Sequence, residues 1–267
     1  MKRLRTLLVL AIFSNLLLAD NLYAQQDLPD YNCAPNTLPI NPRICIGISE
    51  TPAYMYKDFL AWTGGTKKAN SADLKAIKPD YSKWKTLFPS LSEEKIEERF
   101  KDTDQLALMP IIGITKEQAM RYCEWKTEMF KVELAKMNKK DRARFPKEFK
   151  FRLPTANEWG RMRFLIQEKS MLKQIGKIAN VNSKAFKLSK SRMMRSNEKI
   201  MDIYASKDEK LGFYNLFTNV AEMTSTDGEA VGGSWFEGSG KKDFKQTFTY
   251  SEAEAWLGFR VIFEIIR

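Results

Sequence analysis

The sequence predicts an α+β fold, and two kinds of observation support this class. Thr115 with Gln118, and Thr155 with Glu158, have the spacing of a capping box, which marks the first turn of a helix. After Lys210, glycines separate short aromatic and β-branched segments, a pattern typical of strands and turns. Periodicity alone carries the prediction no further than this class.

The elements of the first half follow in chain order. Ile44–Ile48 is apolar and predicts a strand, and Ser49–Trp62 then has aromatic and apolar residues at helical spacing. Ser92–Phe100 predicts a short helix. The helix that begins at Thr115 has an apolar stripe along one side. Its members are Ala119, Tyr122, Cys123 and Phe130.

The second capped helix begins soon after Arg152. We expect the planar guanidinium of Arg152 to be buried against a carboxylate or backbone carbonyls. In the helix itself, Trp159, Met162 and Leu165 are spaced to face inward. These roles are structural, because they fix how a strand enters a helix.

Residues 1–24 have the form of a secretory signal peptide. Three basic residues precede the apolar segment Leu7–Leu18, and the small residue Ala24 ends the stretch. The apolar segment is shorter than the ~20 residues that span a bilayer, although an uncleaved membrane anchor is the alternative. No cysteine follows the segment directly, so a lipoprotein anchor is not supported. We expect an exported protein.

The rest of the chain divides into a leader and one domain. Residues 25–43 are polar and rich in proline, which predicts an extended leader. Residues 44–267 are long enough for one domain with a substantial core. A basic segment near 169–210 is interpreted as a solvated insertion, with a binding patch as the alternative.

The net charge is +11, and it falls to +9 without residues 1–24, which hold three basic residues and one acidic residue. A basic exported protein is suited to anionic membrane or glycan surfaces and to acidic proteins. The sequence contains no nucleic-acid-binding module, so nucleic acid is not the expected partner. Solubility alone is the simplest explanation of the charge.

The cysteines predict one disulfide and one inert thiol. Cys33 and Cys45 flank a proline-rich segment, and an oxidising compartment would allow a bridge between them. Cys123 lies on the apolar stripe of its helix, where we expect a buried thiol. No CxxC pair of the metal-binding type is present.

Four segments occur in a fixed order: FRLPTANEW (Phe151–Trp159), GFYNLFTNVAEM (Gly212–Met223), VGGSW (Val231–Trp235) and WLGFRVI (Trp256–Ile262). Together they resemble the formylglycine-generating-enzyme, or sulfatase-modifying-factor, family. An N-terminal signature of that family is also matched, by Glu50, Thr51, Tyr56 and Phe59. The resemblance implies a variant of the C-type-lectin-like fold that is rich in irregular structure.

The resemblance also implies where the catalytic chemistry of the family should lie. Active members bind copper through two cysteines just after the GGS[FW] segment, and Glu237 and Lys242 occupy those positions here. A second catalytic branch binds iron through histidines, and this chain has no histidine. A Ser-His-Asp triad is excluded for the same reason. We therefore expect a protein that is not an enzyme.

Relatives often hold structural calcium near the segment that corresponds to NVAEM. Asn219 and Glu222 are the candidate ligands by this resemblance, with Asp227 close in sequence. Calcium takes about six to eight oxygen ligands, many of them backbone carbonyls. The alternative is that Asn219 and Glu222 hold a turn in place. No other cofactor is indicated.

The leading hypothesis is a non-enzymatic binding or scaffold protein in a bacterial cell envelope, in the periplasm or at the surface of a Gram-negative cell. The sequences of these motifs resemble those of family members associated with gliding motility and type IX secretion. The candidate binding surface comprises Phe236, Glu237, Lys241 and Lys242, whereas Trp235 is expected in the core. Its partner would be an envelope protein. The alternatives are a metal-dependent oxidoreductase with an atypical site and a carbohydrate-binding, lectin-like module.

Overall fold

The computed structural model describes residues 30–65, 71–102, 106–162, 200, 202–204, 207–208, 212–236 and 246–267. Helices in these ranges are α1 (Ala53–Gly65), α2 (Ser71–Ile77), α3 (Tyr81–Trp84), α4 (Glu93–Asp102), α5 (Lys116–Ala135), α6 (Lys139–Arg142) and α7 (Ala156–Gly160). Every helix within the described ranges is too short or too polar to cross a bilayer. The predicted signal peptide and most of the basic segment near 169–210 lie outside these ranges.

The strands of the described ranges form three sheets. They are β1 (Thr37–Asn41), β2 (Ile44–Gly47), β3 (Phe149–Arg152), β4 (Lys207–Asp208), β5 (Phe213–Tyr214), β6 (Ala221–Met223), β7 (Glu229–Val231), β8 (Thr247–Thr249), β9 (Leu257–Gly258) and β10 (Ile262–Ile265). The first sheet is antiparallel, in the order β1-β2-β10-β3. β4 pairs with β5, and the third sheet has the order β8-β7-β6-β9, in which β6 and β9 are parallel.

The first sheet separates two hydrophobic cores. Successive side chains of a strand point to opposite faces, and β2 and β10 show this alternation with apolar residues on both faces. Ile46 and Ile262 lie in one core, together with Trp159 of α7. Cys45 and Phe263 lie in the other, which α1 and α5 cover. This combination of helices and antiparallel sheet confirms the α+β class.

Both predicted capping boxes are present and begin α5 and α7. The Thr115 hydroxyl accepts from the Gln118 N–H at 3.2 Å, and the Gln118 side chain accepts from the Thr115 N–H at 2.9 Å. Thr155 and Glu158 repeat this exchange at 3.1 and 2.9 Å. The boxes satisfy N–H groups that the first helical turn leaves without partners.

Arg152 connects α7 to the edge of the first sheet. Its guanidinium donates two hydrogen bonds to Glu158, at 2.7 and 2.8 Å, and one to Glu264 of β10 at 2.7 Å. The hydrogen bonds to Glu158, together with that to Glu264, raise the pKa of Arg152 and keep it charged. The expectation of a guanidinium placed against carboxylates is confirmed.

Two predicted boundaries differ from the structure. The helix predicted from Ser49 begins at Ala53, because Thr51 precedes Pro52 and bonds instead to the backbone of Phe259 and Ile111. The residues predicted as an extended leader, 25–43, include strand β1, so the sheet begins before residue 44. Pro39 lies in β1, and an edge strand tolerates proline because one side of it needs no N–H donor.

A disulfide joins Cys33 to Cys45 and ties the start of the described chain to β2. Cys123 is free and buried, and burial raises the pKa of its thiol to about 12, which makes it unreactive at neutral pH. The placement of Cys123 is as predicted.

Replacing Cys33 and Cys45 together by alanine is expected to lower the free energy of unfolding by about 3 kcal/mol, from the closure entropy of the loop between them. Urea unfolding of the variant and of the reduced wild type measures this loss. The two should agree, since both lack the cross-link. A loss below about 1 kcal/mol in both would contradict a stabilising role for the bridge.

Candidate functional site

The GFR segment places a fully buried arginine at the centre of the molecule. Arg260 donates two hydrogen bonds to the Glu222 carboxylate, at 2.6 and 2.7 Å. It also donates to the backbone carbonyls of Gly47 and Tyr214, at 2.8 and 3.0 Å. Burial opposes the charge of Arg260, but the negative charge of Glu222 outweighs it and raises the pKa of the guanidinium. Arg260 is therefore held in its charged form, although its side chain and that of Glu222 are closed to solvent.

Trp159 donates a third hydrogen bond to the Glu222 carboxylate. Its indole N–H donates to the second carboxylate oxygen at 2.6 Å, beside the bond from Arg260 to that oxygen. FRLPTANEW, NVAEM and WLGFR therefore meet at one carboxylate. The three motifs are far apart in sequence, and together they form this buried contact.

Glu50, from the N-terminal signature, lies in the same interior. Its two oxygens accept from the side-chain amides of Asn215 and Asn219, each at 3.1 Å. Burial raises the pKa of Glu50 to about 8, although the charge of Arg260 opposes that rise. Glu50 is therefore mainly protonated at neutral pH, and we name Glu50, Glu222, Arg260, Asn215 and Asn219 the buried polar cluster.

The buried polar cluster does not fit a calcium ion. Three N–H donors already occupy the oxygens of Glu222, and the Asn219 amide donates to Glu50. The backbone carbonyl of Asn219 accepts from the N–H of Trp235 at 2.9 Å. No group of three or more acidic, cysteine or histidine residues that could hold a metal occurs within the described ranges. Asn219 and Glu222 are engaged with protein groups, an arrangement compatible with the alternative in which they hold a turn in place.

The VGGSW segment packs closely on the chain near Phe217. A side chain at Gly233 would meet the Phe217 carbonyl oxygen at 2.1 Å, so only glycine fits there. Gly232 has a φ of +90° and lies against Trp159, which also favours glycine. The hydroxyls of Thr218 and Ser234, on the two facing segments, are buried without a hydrogen-bond partner in the described part of the chain. Sequence reasoning missed these hydroxyls, because burial is not readable from a serine or a threonine.

The two aromatic residues that end this segment differ in exposure. Trp235 is partly buried, and its indole N–H donates to the Ala255 carbonyl at 3.1 Å. Phe236 is 65% exposed and meets the Trp235 ring edge-on, with 5.9 Å between ring centroids. The other residues of the predicted binding surface, Glu237, Lys241 and Lys242, lie outside the described residues.

The donor set also does not fit the redox metals of catalytic relatives. Copper(I) sites are built from soft sulfur ligands. Two of the three cysteines form the disulfide, and the third is buried in α5. Imidazole ligands for iron are absent, because the sequence has no histidine.

A comparison of the sequence with models of protein families identifies the family of this chain. The model of the sulfatase-modifying factor enzyme 1-like domain matches residues 37–265, from the start of β1 to the end of β10. The chain belongs to this family. The match begins at the strand that sequence reasoning placed in the leader, and it includes all four motifs around the buried polar cluster.

Two solved structures are similar to this sulfatase-modifying-factor domain. The crystal structure of CarF shares 14% identity at a TM-score of 0.45, over 84% of this chain and 87% of that chain. Variable protein 1 of Treponema denticola shares 16% identity at a TM-score of 0.43, over 88% of this chain and 92% of that chain. No curated protein is similar enough to count as a match.

Proposed function

We propose that this sulfatase-modifying-factor domain is a non-enzymatic binding or scaffold protein, exported to the bacterial envelope as part of a protein complex. The observation that carries the proposal is the exposed phenyl ring of Phe236, which directly follows the anchored Trp235. Glu237 and Lys242 take the places where the resemblance puts the catalytic cysteines. The domain keeps the fold of its family and has exchanged sulfur chemistry for an aromatic and charged surface.

The internal bonding supports this proposal. Arg260, Glu222 and Glu50 are buried ionisable groups of the family motifs, and each is hydrogen-bonded to protein partners. A general acid or base needs to reach a substrate, whereas the hydrogen bonds of these three side chains go to protein groups in the interior. The motifs therefore serve stability, and recognition is left to the surface beside VGGSW.

The partner we propose is an envelope protein with acidic and apolar groups at its contact. An exposed aromatic ring that is followed in sequence by charged residues suits a protein interface, where a few anchor side chains dominate the binding energy. The net charge, +9 without residues 1–24, favours an acidic partner. The signal-like N-terminus and the disulfide support an oxidising, exported location.

Replacing Phe236 by alanine and Lys242 by glutamate together is expected to reduce capture of the partner at least tenfold in a pull-down from the native envelope. Loss of an interface anchor costs about 2 kcal/mol or more. The matched control combines Met120→Ala with Lys136→Glu, which removes an exposed apolar side chain and reverses a charge at α5. That control should capture the partner as the wild type does.

Three outcomes would contradict the proposal. Unchanged capture by the Phe236 and Lys242 variant would remove the surface from consideration. Stoichiometric iron or copper in protein purified without chelator would support the alternative of an oxidoreductase with an atypical site. Selective binding on a glycan array, in place of a protein partner, would favour the lectin-like alternative.

A further inference from the structure

A basic surface lies at the end of the first sheet where β10 finishes. Because β10 pairs antiparallel with β2 and β3, the residues that precede those two strands lie at this same end. Arg43 precedes β2, and its backbone carbonyl accepts from the N–H of Ile265 at 2.8 Å. Helix α6 and the loop after it precede β3, and the backbone carbonyl of Glu148 accepts from the N–H of Ile266 at 2.9 Å. Three segments that are distant in sequence therefore meet here.

The C-terminal end of α5 lies at the same end of the sheet. The Thr127 hydroxyl of α5 accepts from the N–H of Phe151 at 2.8 Å. One turn later, the Phe130 ring packs on that of Phe149, with 5.3 Å between centroids. The helix thus runs antiparallel to β3 and passes the start of that strand before it ends at Ala135. The residues between α5 and α6 join the same surface.

Cations on this surface outnumber the acids that could pair with them. Residues 139–148 include five basic and two acidic residues. Both acids already have a cation of the same surface beside them, because Asp141 lies 4.0 Å from Arg144 and Glu148 pairs with Arg267. Four further cations are exposed and form no ion pair with any residue that the structure describes: Arg43, Lys139, Lys140 and Lys147. The surface is therefore positively charged.

Two exposed apolar side chains accompany these cations. Ile266 is 49% exposed and Met137 is 37% exposed, although large apolar residues are mostly buried in the described part of the chain. Ile266 directly precedes Arg267, and Met137 lies two residues before Lys139. We call Met137, Ile266 and the four unpaired cations the α6 surface.

We propose that the α6 surface docks on an anionic phospholipid bilayer. Such docking combines the attraction of lysine and arginine to anionic headgroups with insertion of apolar side chains at the boundary between headgroups and acyl chains. Lysine suits this role, because its apolar stem can lie on the bilayer while its ammonium stays at the headgroups. An acidic protein is a poorer match, because lysine is depleted in protein interfaces and the α6 surface includes no aromatic anchor.

This role goes beyond the protein contact proposed at Phe236. Trp235, the residue before Phe236, is anchored to the carbonyl of Ala255, which precedes β9 and β10. The α6 surface lies instead where β10 ends. The domain would therefore contact a membrane and a protein partner through separate surfaces.

Flotation of the protein, as its native cell processes it, with phospholipid vesicles tests the proposal. Vesicles of phosphatidylcholine with roughly one third phosphatidylglycerol should bind it at least tenfold more tightly than phosphatidylcholine alone, because only the former are anionic. The triple variant Lys139→Gln, Lys140→Gln and Lys147→Gln should weaken binding to the anionic vesicles at least tenfold. All three positions are exposed, so the variant is expected to fold.

The matched control makes the same change of charge at the other end of α5. Gln118, in the first turn of α5, donates to the Ala76 carbonyl at 3.1 Å, which places α2 at that end. The control triple variant is Lys75→Gln, Lys85→Gln and Lys95→Gln, three exposed lysines in the segment from α2 to α4. It should keep the binding of the wild type within about twofold, because these lysines do not face the bilayer.

A second pair of variants tests the insertion of apolar side chains. Met137→Ser combined with Ile266→Ser keeps the charge and should weaken binding to the anionic vesicles at least fivefold, because binding scales with the apolar area that the bilayer buries. Met120→Ser is the control, since it removes an exposed methionine from the first half of α5. That control should bind as the wild type does.

Several results would overturn the proposal. These are equal binding to the two kinds of vesicle, full binding by the Lys139, Lys140 and Lys147 variant, and an equal loss in both triple variants. Binding to immobilised heparin or polyglutamate through the same lysines, without binding to vesicles, would assign the surface to an anionic glycan or an acidic protein instead. Phe236→Ala should bind vesicles normally, so that this proposal and the proposed protein contact can fail separately.

Discussion

Replacing Arg260 by methionine is expected to lower the free energy of unfolding by about 3–5 kcal/mol, the largest effect of any single change considered in this protein. Methionine fills much of the same volume but leaves the Glu222 carboxylate buried with only the indole N–H of Trp159. The carbonyls of Gly47 and Tyr214 lose their donors as well. An uncompensated buried charge explains most of the expected loss. Urea unfolding followed by tryptophan fluorescence measures it.

Arg121→Met is the matched control for this change. Arg121 also pairs with a glutamate, Glu117, but at the exposed surface of α5. An exposed pair of this kind contributes about 0.5 kcal/mol or less. The second comparison is the double variant Arg260→Met with Glu222→Gln, which removes the stranded charge and should recover part of the stability. A loss below about 1 kcal/mol in Arg260→Met would contradict the central role of this arginine.

The stability of the wild type is expected to fall with rising pH, relative to Glu50→Gln, by about 1.4 kcal/mol for each pH unit between about pH 5 and pH 7.5. Burial raises the pKa of Glu50 from 4.5 to about 8 in the folded protein. The folded state therefore holds this proton more tightly than the unfolded state. The resulting stabilisation is complete below the unfolded pKa and is lost as pH rises through the folded pKa. Glutamine does not titrate, so its variant lacks this slope.

Urea unfolding of both proteins across that pH range supplies the difference curve. Glu124→Gln, an exposed position on α5, is the control and should run parallel to the wild type. If the Glu50→Gln curve also runs parallel, the carboxyl of Glu50 is not held protonated in the folded state. Glutamine can still accept from one asparagine, so the variant is expected to fold.

The elements that could be predicted are those set by neighbouring residues. The capping boxes at Thr115 and Thr155 each use a side chain three residues away, so both helix starts are visible in the sequence. One of the two carboxylates that bind Arg152 is also close in sequence, because Glu158 is six residues away. The other carboxylate, that of Glu264, is 112 residues away, and only the folded sheet brings it to Arg152.

β1 could not be predicted, because local preference and tertiary position disagree there. Prolines near Pro39 argue against regular structure when read alone. In the fold, β1 is the outer strand of its sheet, where a missing N–H donor matters little. Strand position depends on the partner strands, and the sequence of β1 does not contain that information.

The site was only partly predictable for the same reason. Motif resemblance located VGGSW and Phe236, and it left Asn219 and Glu222 either as calcium ligands or as residues that hold a turn. Glu50 meets Asn219 across 169 residues of sequence, and this contact turns the asparagine into a hydrogen-bond donor for a carboxyl.

The position of β10 has a consequence for the kinetics of folding. This last strand lies between β2 and β3 at the middle of the first sheet, and the Arg260 contact just before it joins residues 213 positions apart. Sheets built from such distant segments form slowly. β10 supplies residues to both cores, so neither core is complete until this strand has been made, and we expect the chain to expose apolar surface until then. A protein with this topology is suited to crossing a membrane unfolded and to completing its fold only afterwards.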